Sequence, residues 1–252
     1  MATGSRRAII EAIDLTKRYA DGTLALDALN LAVPAGEIYC LLGAIGAGKT
    51  TAIDLFVGFV RPTSGRARIA GIDVQRRPRE ARRRLAYLMG GAALHGNLTA
   101  LQNLDLFARL AGRAAGDEEC AMALREVGLP ERAFGQRVRS FDPGARQKLA
   151  LAAAMIKRAP ALLLDEPLAG LDPQAAAEMV ETLQMLRDRG RAILLATYDL
   201  FHAKQLADTV GILKEGRKVL SCSRDELRYQ DLEALYLDYM RGGLEGGRRT
   251  AS

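Results

Sequence analysis

Residues 43–50 read Gly-Ala-Ile-Gly-Ala-Gly-Lys-Thr and match the spacing G-x-x-x-x-G-K-[ST] in full. The run before them, Glu37 to Leu42, predicts a buried strand, and the residues from Lys49 to about Val60 predict a helix. In this order, a strand, a glycine-rich turn and a helix form a loop whose backbone N–H groups converge on phosphate. The stretch therefore predicts an α/β fold with a phosphate-binding loop, and a glycine-rich turn with an incidental lysine is the alternative.

The side chains around this loop suit a triphosphate and its metal ion. Lys49 is expected to reach the β- and γ-phosphates, and Thr50 to offer its hydroxyl to Mg²⁺, which prefers oxygen ligands. Further on, residues 162–166 (LLLDE) form an apolar run that ends in two acids. Asp165 is placed to hold Mg²⁺ through water, and Glu166 to orient or deprotonate the attacking water. The alternative is that the two acids only cap the next helix.

The rest of the chain divides into predicted segments. Short β-rich runs with turn residues between Ala8 and Val33 predict an antiparallel hairpin region. Apolar runs at 161–164 and 192–196, separated by a helical segment at 173–189, are typical of buried parallel strands. We therefore assign residues 1–90 to an antiparallel β subdomain and the first part of the core, 91–160 to an inserted helical subdomain, 161–220 to the second part of the core, and 221–252 to a C-terminal helical segment and tail.

Composition argues against several classes of function. The 252 residues carry a net charge of +6, but the basic residues are spread along the chain and aromatic residues are few, so nucleic acid is not an expected partner. The basic stretch 76–84 is interpreted as the exposed face of a helix, with a nucleic-acid surface as the weaker alternative. Cys40, Cys120 and Cys222 lack the paired spacing of a disulfide framework or a metal site. Since no uncharged run reaches membrane-spanning length, we expect a cytoplasmic protein that meets a membrane only through a partner.

Taken in order, these motifs resemble those of the ABC ATPases over nearly the whole chain, and most closely those of short bacterial ABC exporters. The resemblance implies a P-loop NTPase (RecA-like) core with an N-terminal antiparallel β subdomain and an inserted α-helical subdomain. Residues 169–173 (AGLDP) match the family's D-loop, and residues 232–237 (LEALYL) resemble the closing segment of exporter subunits. Tyr19 matches the aromatic residue that stacks on adenine.

The resemblance also implies a function. It is that of an ATPase subunit that couples ATP binding and hydrolysis to transport, with export expected, through partner membrane-spanning subunits at the cytoplasmic face of the cell membrane. ATP and Mg²⁺ are the implied cofactors. Two ATPase subunits, alike or unlike, would form a head-to-tail dimer, in which one subunit's loop and the other's signature motif hold each ATP. The implied nucleotide contacts are Tyr19, Gly43, Ala44, Ile45, Gly46, Ala47, Gly48, Lys49, Thr50 and Thr51.

Four positions depart from the family's pattern, and they concern steps after binding. Gly90 lies where a glutamine normally reaches Mg²⁺ and water. Tyr198 lies where a switch histidine contacts the γ-phosphate, and a phenol carries no positive charge near neutral pH. Ile45 replaces a polar residue of the loop, and Asp142 replaces the serine of the signature motif. We therefore expect slow hydrolysis, although a working enzyme with tolerated substitutions is the alternative.

Asp142 is the most informative of these departures. With Pro143 after it, it predicts an N-cap and a first-turn proline for the following helix. The same cap would occupy the anion site for the partner's γ-phosphate. Two like unit charges about 4 Å apart repel by ~4 kcal/mol at an effective dielectric near 20, before screening. A weakened ATP-closed dimer is therefore expected.

Three hypotheses follow for the function. The first is a slow ATPase subunit of a membrane exporter, and the second is a nucleotide-sensing regulatory subunit that barely turns over. Glu166 favours the first, since a chain that has abandoned hydrolysis has no need of a catalytic carboxylate. The third is an ABC protein that acts outside membranes, but such proteins usually carry tandem ATPase domains or coiled arms, and this sequence has neither.

Overall fold

The computed structural model describes residues 7–89, 94–227 and 232–241. The strands are β1 (Ala8–Arg18), β2 (Leu24–Pro34), β3 (Glu37–Leu42), β4 (Ser64–Ile69), β5 (Ile72–Asp73), β6 (Leu85–Met89), β7 (Ala161–Asp165), β8 (Ala192–Thr197), β9 (Thr209–Lys214) and β10 (Arg217–Ser223). The helices are α1 (Lys49–Val57), α2 (Pro78–Arg83), α3 (Ala100–Leu110), α4 (Asp117–Glu126), α5 (Pro143–Ile156), α6 (Pro173–Asp188), α7 (Leu200–Leu206), α8 (Arg224–Leu227) and α9 (Leu232–Arg241).

A six-stranded sheet in the order β10-β9-β3-β8-β7-β6 forms the centre of the fold. Its strands are parallel except β10, which pairs with β9 in the antiparallel direction. β7 and β8 are buried along their whole length, which explains why they are continuous apolar runs rather than alternating ones. β3, β8 and β7 are neighbours, so the loops that follow them meet at one edge of the sheet.

A second sheet, of order β2-β1-β4-β5, is antiparallel throughout. The predicted hairpin region is therefore present, as two eleven-residue strands rather than several short runs. Helix α1 packs between the two sheets, and Ile53 and Phe56 on it are fully buried in a core shared by both. This double-sided packing fixes the helix that follows the glycine-rich loop.

Helix α1 ends earlier than the sequence predicts. It stops at Val57 rather than at about Val60, because Gly58 takes a left-handed conformation (φ 78°) and its N–H bonds to the carbonyl of Asp54. The basic stretch 76–84 contains a helix of only six residues, α2, on which Ala81 is buried and the arginines are largely exposed. Its interpretation as a solvated helical face therefore agrees with the structure.

Helices α3, α4 and α5 pack against one another within the segment predicted to be helical. Thr99 and Gln102 form a reciprocal capping box at the start of α3. The buried amide of Asn103 fixes the preceding loop by bonding to the backbone N–H and carbonyl of His95. In the described part of the chain, no helix has the length and apolar character needed to cross a bilayer.

Candidate functional site

The glycine-rich loop connects the end of β3 to the start of α1, and two of its glycines are required by backbone geometry. Gly48 has φ 107°, and a Cβ there would lie 2.3 Å from the carbonyl oxygen of Ala25. Gly46 is also left-handed, at φ 83°, but a Cβ there would meet nothing within 4 Å. The loop therefore depends on Gly48 for close approach to β2 and on Gly46 for its backbone conformation.

Lys49 lies beneath this loop with a side chain that is only 7% exposed. Its Nζ donates to the carbonyl oxygens of Gly43 at 2.7 Å and Ala44 at 3.1 Å. It also lies 3.7 Å from Oε1 of Glu166. The ammonium is therefore held at the centre of the loop, because a buried charge needs partners.

The two acids at the end of β7 have different surroundings. Asp165 is the last residue of the strand and is 8% exposed. Glu166 follows in a left-handed conformation (φ 48°), and its side chain is 25% exposed. Burial raises the pKa of Glu166, and the hydrogen bond from Thr197 and the charge of Lys49 offset that rise in part. Neither acid caps the next helix, which takes its N-cap from Asp172, so the capping alternative is wrong.

Thr197 is a contributor to the site that the sequence interpretation missed. It ends β8, and its Oγ1 donates to Oε2 of Glu166 at 3.0 Å. The same Oγ1 accepts from the backbone N–H of Asp199 at 3.0 Å. Its position at the end of an adjacent parallel strand is the one signal that could have identified it.

A cavity of about 490 Å³ brings most of the predicted residues together. Ile45 and Tyr198 bring large exposed apolar surface to it, with exposed fractions of 90% and 51%. Tyr19 does not line this cavity, but its Oη lies 3.4 Å from Oγ1 of Thr51, which does. The lining consists of Thr23, Leu24, Ala25, Ile45, Gly46, Gly48, Lys49, Thr50, Thr51, Glu166, Tyr198, Glu215 and Gly216.

Asp142 lies outside this cavity. It caps α5 as predicted, with Oδ1 accepting from the backbone N–H of Ala145 at 2.7 Å and Pro143 in the first turn. It lines a separate cleft of about 340 Å³ between the N-termini of α5 and α6. Gly90, which lies where the family has a glutamine, is outside the described residues.

One side chain links α5 to the acids of the site. The amide of Gln147, which is 8% exposed, donates to the carbonyl oxygen of Pro167 at 2.9 Å. Pro167 directly follows Glu166, so this hydrogen bond connects α5 to the segment that carries the carboxylate.

The known proteins that resemble this chain belong to one family. The family model described as ABC transporter matches residues 26–169. The chain is 36% identical over 230 residues to the daunorubicin/doxorubicin resistance ATP-binding protein DrrA of Streptomyces peucetius, covering 90% of this chain and 69% of that protein. It is 38% identical over 204 residues to the Nod factor export ATP-binding protein I of Burkholderia thailandensis, covering 81% of this chain and 67% of that protein.

Solved structures share this fold over most of the chain. The structure of an ATP-binding subunit of an ABC transporter superposes with a TM-score of 0.82 at 30% identity, covering 92% of this chain and 99% of that one. A dimeric ATP-binding cassette in a post-hydrolysis state with ADP and Pi superposes with a TM-score of 0.77 at 24% identity, covering 85% of this chain and 98% of that one, and shows the same fold. The α/β fold class predicted from the sequence is confirmed.

Proposed function

The chain belongs to the ABC transporter family of ATP-binding proteins, and we propose that it is the ATPase subunit of an exporter whose binding machinery is complete and whose hydrolysis is slow. The observation that carries the proposal is the buried ammonium of Lys49, held between the loop carbonyls and Glu166. A buried cation held within a loop of backbone N–H groups is the arrangement that a polyphosphate completes.

ATP binding rests on the loop. In this proposal the residues from Gly43 to Thr51 bind the phosphates, and Lys49 exchanges its carbonyl partners for phosphate oxygens. Tyr19 stacks on the adenine, which its position beside Thr51 supports.

A magnesium ion fits the oxygen donors at this site. Thr50, which has a hydroxyl group, lines the cavity, and Asp165 is buried at the end of the neighbouring strand β7. When bound, Mg²⁺ would neutralise charge on the phosphates. Thr50 would hold it directly and Asp165 through water.

Glu166 is proposed to accept the proton of the attacking water. The bond from Thr197 fixes the direction of its carboxylate, and burial raises its pKa, which makes the ionised form a better proton acceptor. Tyr198 lines the same cavity but supplies no cation to the γ-phosphate. This combination supports slow turnover rather than none.

The partner arrangement is proposed from the two clefts. Asp142 lies apart from the chain's own loop, so it faces the ATP of another ATPase subunit in a head-to-tail dimer. A partner with a complete signature motif would serve this chain's loop, while Asp142 would still repel the partner's ATP. We propose that the dimer docks on membrane-spanning subunits at the cytoplasmic face of the membrane. The role outside membranes has no support from the relatives, whose names describe resistance and export.

Steady-state ATPase measurements on the purified chain test this function. The variant Gly90→Gln, Asp142→Ser, Tyr198→His should hydrolyse ATP at least about tenfold faster. It gains an amide that can position water, an uncharged N-cap on α5 and an imidazole that can carry a positive charge. The matched control is the same triple variant with Lys49→Ala, which should be inactive. Equal rates in the parent and the triple variant would show that hydrolysis is not attenuated. A chain that binds no ATP at millimolar concentration, with its partners present, would refute the ATPase assignment itself.

A further inference from the structure

A second large cleft lies at the edge of the six-stranded sheet opposite the phosphate loop. Arg84, Pro160 and Arg191 line it, and they directly precede the first residues of β6, β7 and β8. The cleft has a volume of about 730 Å³, and α4 and the end of α5 form its other walls. It therefore lies between the helical segment and the core, at the sheet edge away from the phosphate loop.

The floor of this cleft is apolar. Met122 on α4 is 53% exposed there and offers an apolar contact surface. Half-buried Met155 continues this apolar surface on α5, and Ile156 and Leu186 line the cleft beneath it but are themselves almost fully buried. A ligand with an apolar body would cover this surface.

The rim of the cleft is cationic. Its two carboxylates are already neutralised, since Glu119 accepts from Arg158 at 2.7 Å and Glu126 accepts from Arg189 at 2.8 Å. Arg84 and Arg191 form no ion pair within the described part of the chain. The rim therefore presents two guanidinium groups without counter-ions.

Arg191 carries an electrostatic cost in this position. Burial, and then repulsion by Arg158 and Arg189, lower the pKa of its guanidinium. Its bond to the carbonyl oxygen of Ala159 explains why it lies there, since arginines commonly satisfy such carbonyls near helix ends. That structural role does not extend to Arg84, for which no side-chain hydrogen bond is found among the described residues.

We propose that this cleft binds a small amphipathic anion, with an apolar body on the floor and a phosphate, sulfonate or carboxylate group between Arg84 and Arg191. Ligand sites of ~300–1,000 Å³ with an apolar lining and a few convergent polar groups are typical, and guanidinium groups recognise such oxyanions through paired N–H bonds. The ligand would connect α4 to the turn between α6 and β8, so it ties the helical segment to the core. The proposal is independent of the ATPase function.

The test uses 1-anilinonaphthalene-8-sulfonate, which is amphipathic, anionic and fluorescent in apolar surroundings. We expect saturable binding at one site, unchanged by saturating ATP and displaced by decyl phosphate but not by inorganic phosphate. Arg84→Gln and Met122→Glu should each weaken binding about tenfold or more, because each removes or opposes one part of the recognition. Arg109→Gln is the matched control, because this substitution removes the same charge from a side chain on α3 that is 72% exposed and lies outside the cleft.

Several results would overturn the proposal. Equal weakening by Arg84→Gln and Arg109→Gln would mean that only net charge matters. Displacement by ATP would place the probe in the nucleotide cavity, and equal competition by inorganic phosphate would remove the role of the apolar floor. Thermal melts of each variant check folding. If Met122→Glu is unfolded, Arg84→Gln alone decides the outcome, because the Arg84 side chain is exposed and bonds to none of the described side chains or carbonyls.

Discussion

Neutralising Asp142 should strengthen the ATP-dependent dimer without weakening the fold. Its carboxylate is fixed over the first turn of α5 by the 2.7 Å bond from Ala145. A partner's γ-phosphate held by the same helix end would lie about 4 Å away, where two unit charges repel by ~4 kcal/mol at an effective dielectric near 20. Because Asp142 is exposed, we discount this value for screening to about 1–2 kcal/mol per site.

The expected change in dimer affinity follows directly. One site corresponds to roughly a 5- to 30-fold change, and a dimer of two identical chains contains two such sites, which gives roughly 30- to 900-fold. Asp142→Asn and Asp142→Ser both keep an N-cap acceptor of similar quality, so thermal stability should change by only a few tenths of a kcal/mol, roughly. The two variants differ in the hydroxyl group, and this difference separates charge from hydrogen bonding.

Sedimentation velocity with ATP measures the dimer. A Glu166→Gln background prevents turnover during the run, and both cap variants should dimerise at far lower concentration than this background alone. The advantage should shrink at about 1 M salt, where the Debye length is about 3 Å. If Asp142→Asn dimerises no better than its background, charge repulsion is not the cause. A gain confined to Asp142→Ser would assign the effect to the missing hydroxyl instead.

Three further outcomes are expected. Gly48→Ala should abolish binding of a fluorescent ATP analogue, because its Cβ would lie 2.3 Å from the carbonyl oxygen of Ala25. Gly46→Ala has open space around its Cβ and should weaken binding only about tenfold. Equal losses in the two variants would contradict this geometry. Glu166→Gln should raise the melting temperature at pH 8 and lose that gain near pH 4. The raised pKa of Glu166 means that the folded chain binds the proton more tightly than the unfolded chain, so the folded chain loses stability as pH rises through that pKa. A gain that persists in acid would exclude this cause. Tyr198→His alone should increase the ATPase rate several-fold, most strongly below pH 7 where imidazole is protonated, and a pH-independent change would argue against a charge effect.

Much of the fold could be predicted because its signals are local. The loop, its strand and its helix depend on the order of neighbouring residues, and the cap at Asp142 depends on the proline that follows it. The end of α1 was placed too late because Phe59 and Val60 continue the apolar pattern beyond Gly58. There the backbone preference of one glycine outweighed the side-chain pattern.

The links within the site could not be read from the sequence. Thr197 and Glu166 are 31 positions apart, and Gln147 and Pro167 are 20 apart, so both contacts depend on how β7, β8 and α5 pack. Neither residue belongs to a pattern that identifies its partner. Parallel strand pairing indicates which strand ends are neighbours, but whether their side chains form a hydrogen bond depends on the rotamers that they adopt.

The contacts of Glu166 couple the arrival of ATP to its basicity. Its Oε1 lies near the ammonium of Lys49 and its Oε2 accepts from Thr197, and both interactions favour the ionised carboxylate. We expect phosphate oxygens that engage the ammonium to weaken its interaction with Glu166, and the pKa of Glu166 to rise further on ATP binding as a result. We infer that it becomes a stronger base only when its substrate is present. This step needs no side chain at position 90 or 198, so we expect the departures at Gly90 and Tyr198 to slow hydrolysis without removing the proton acceptor.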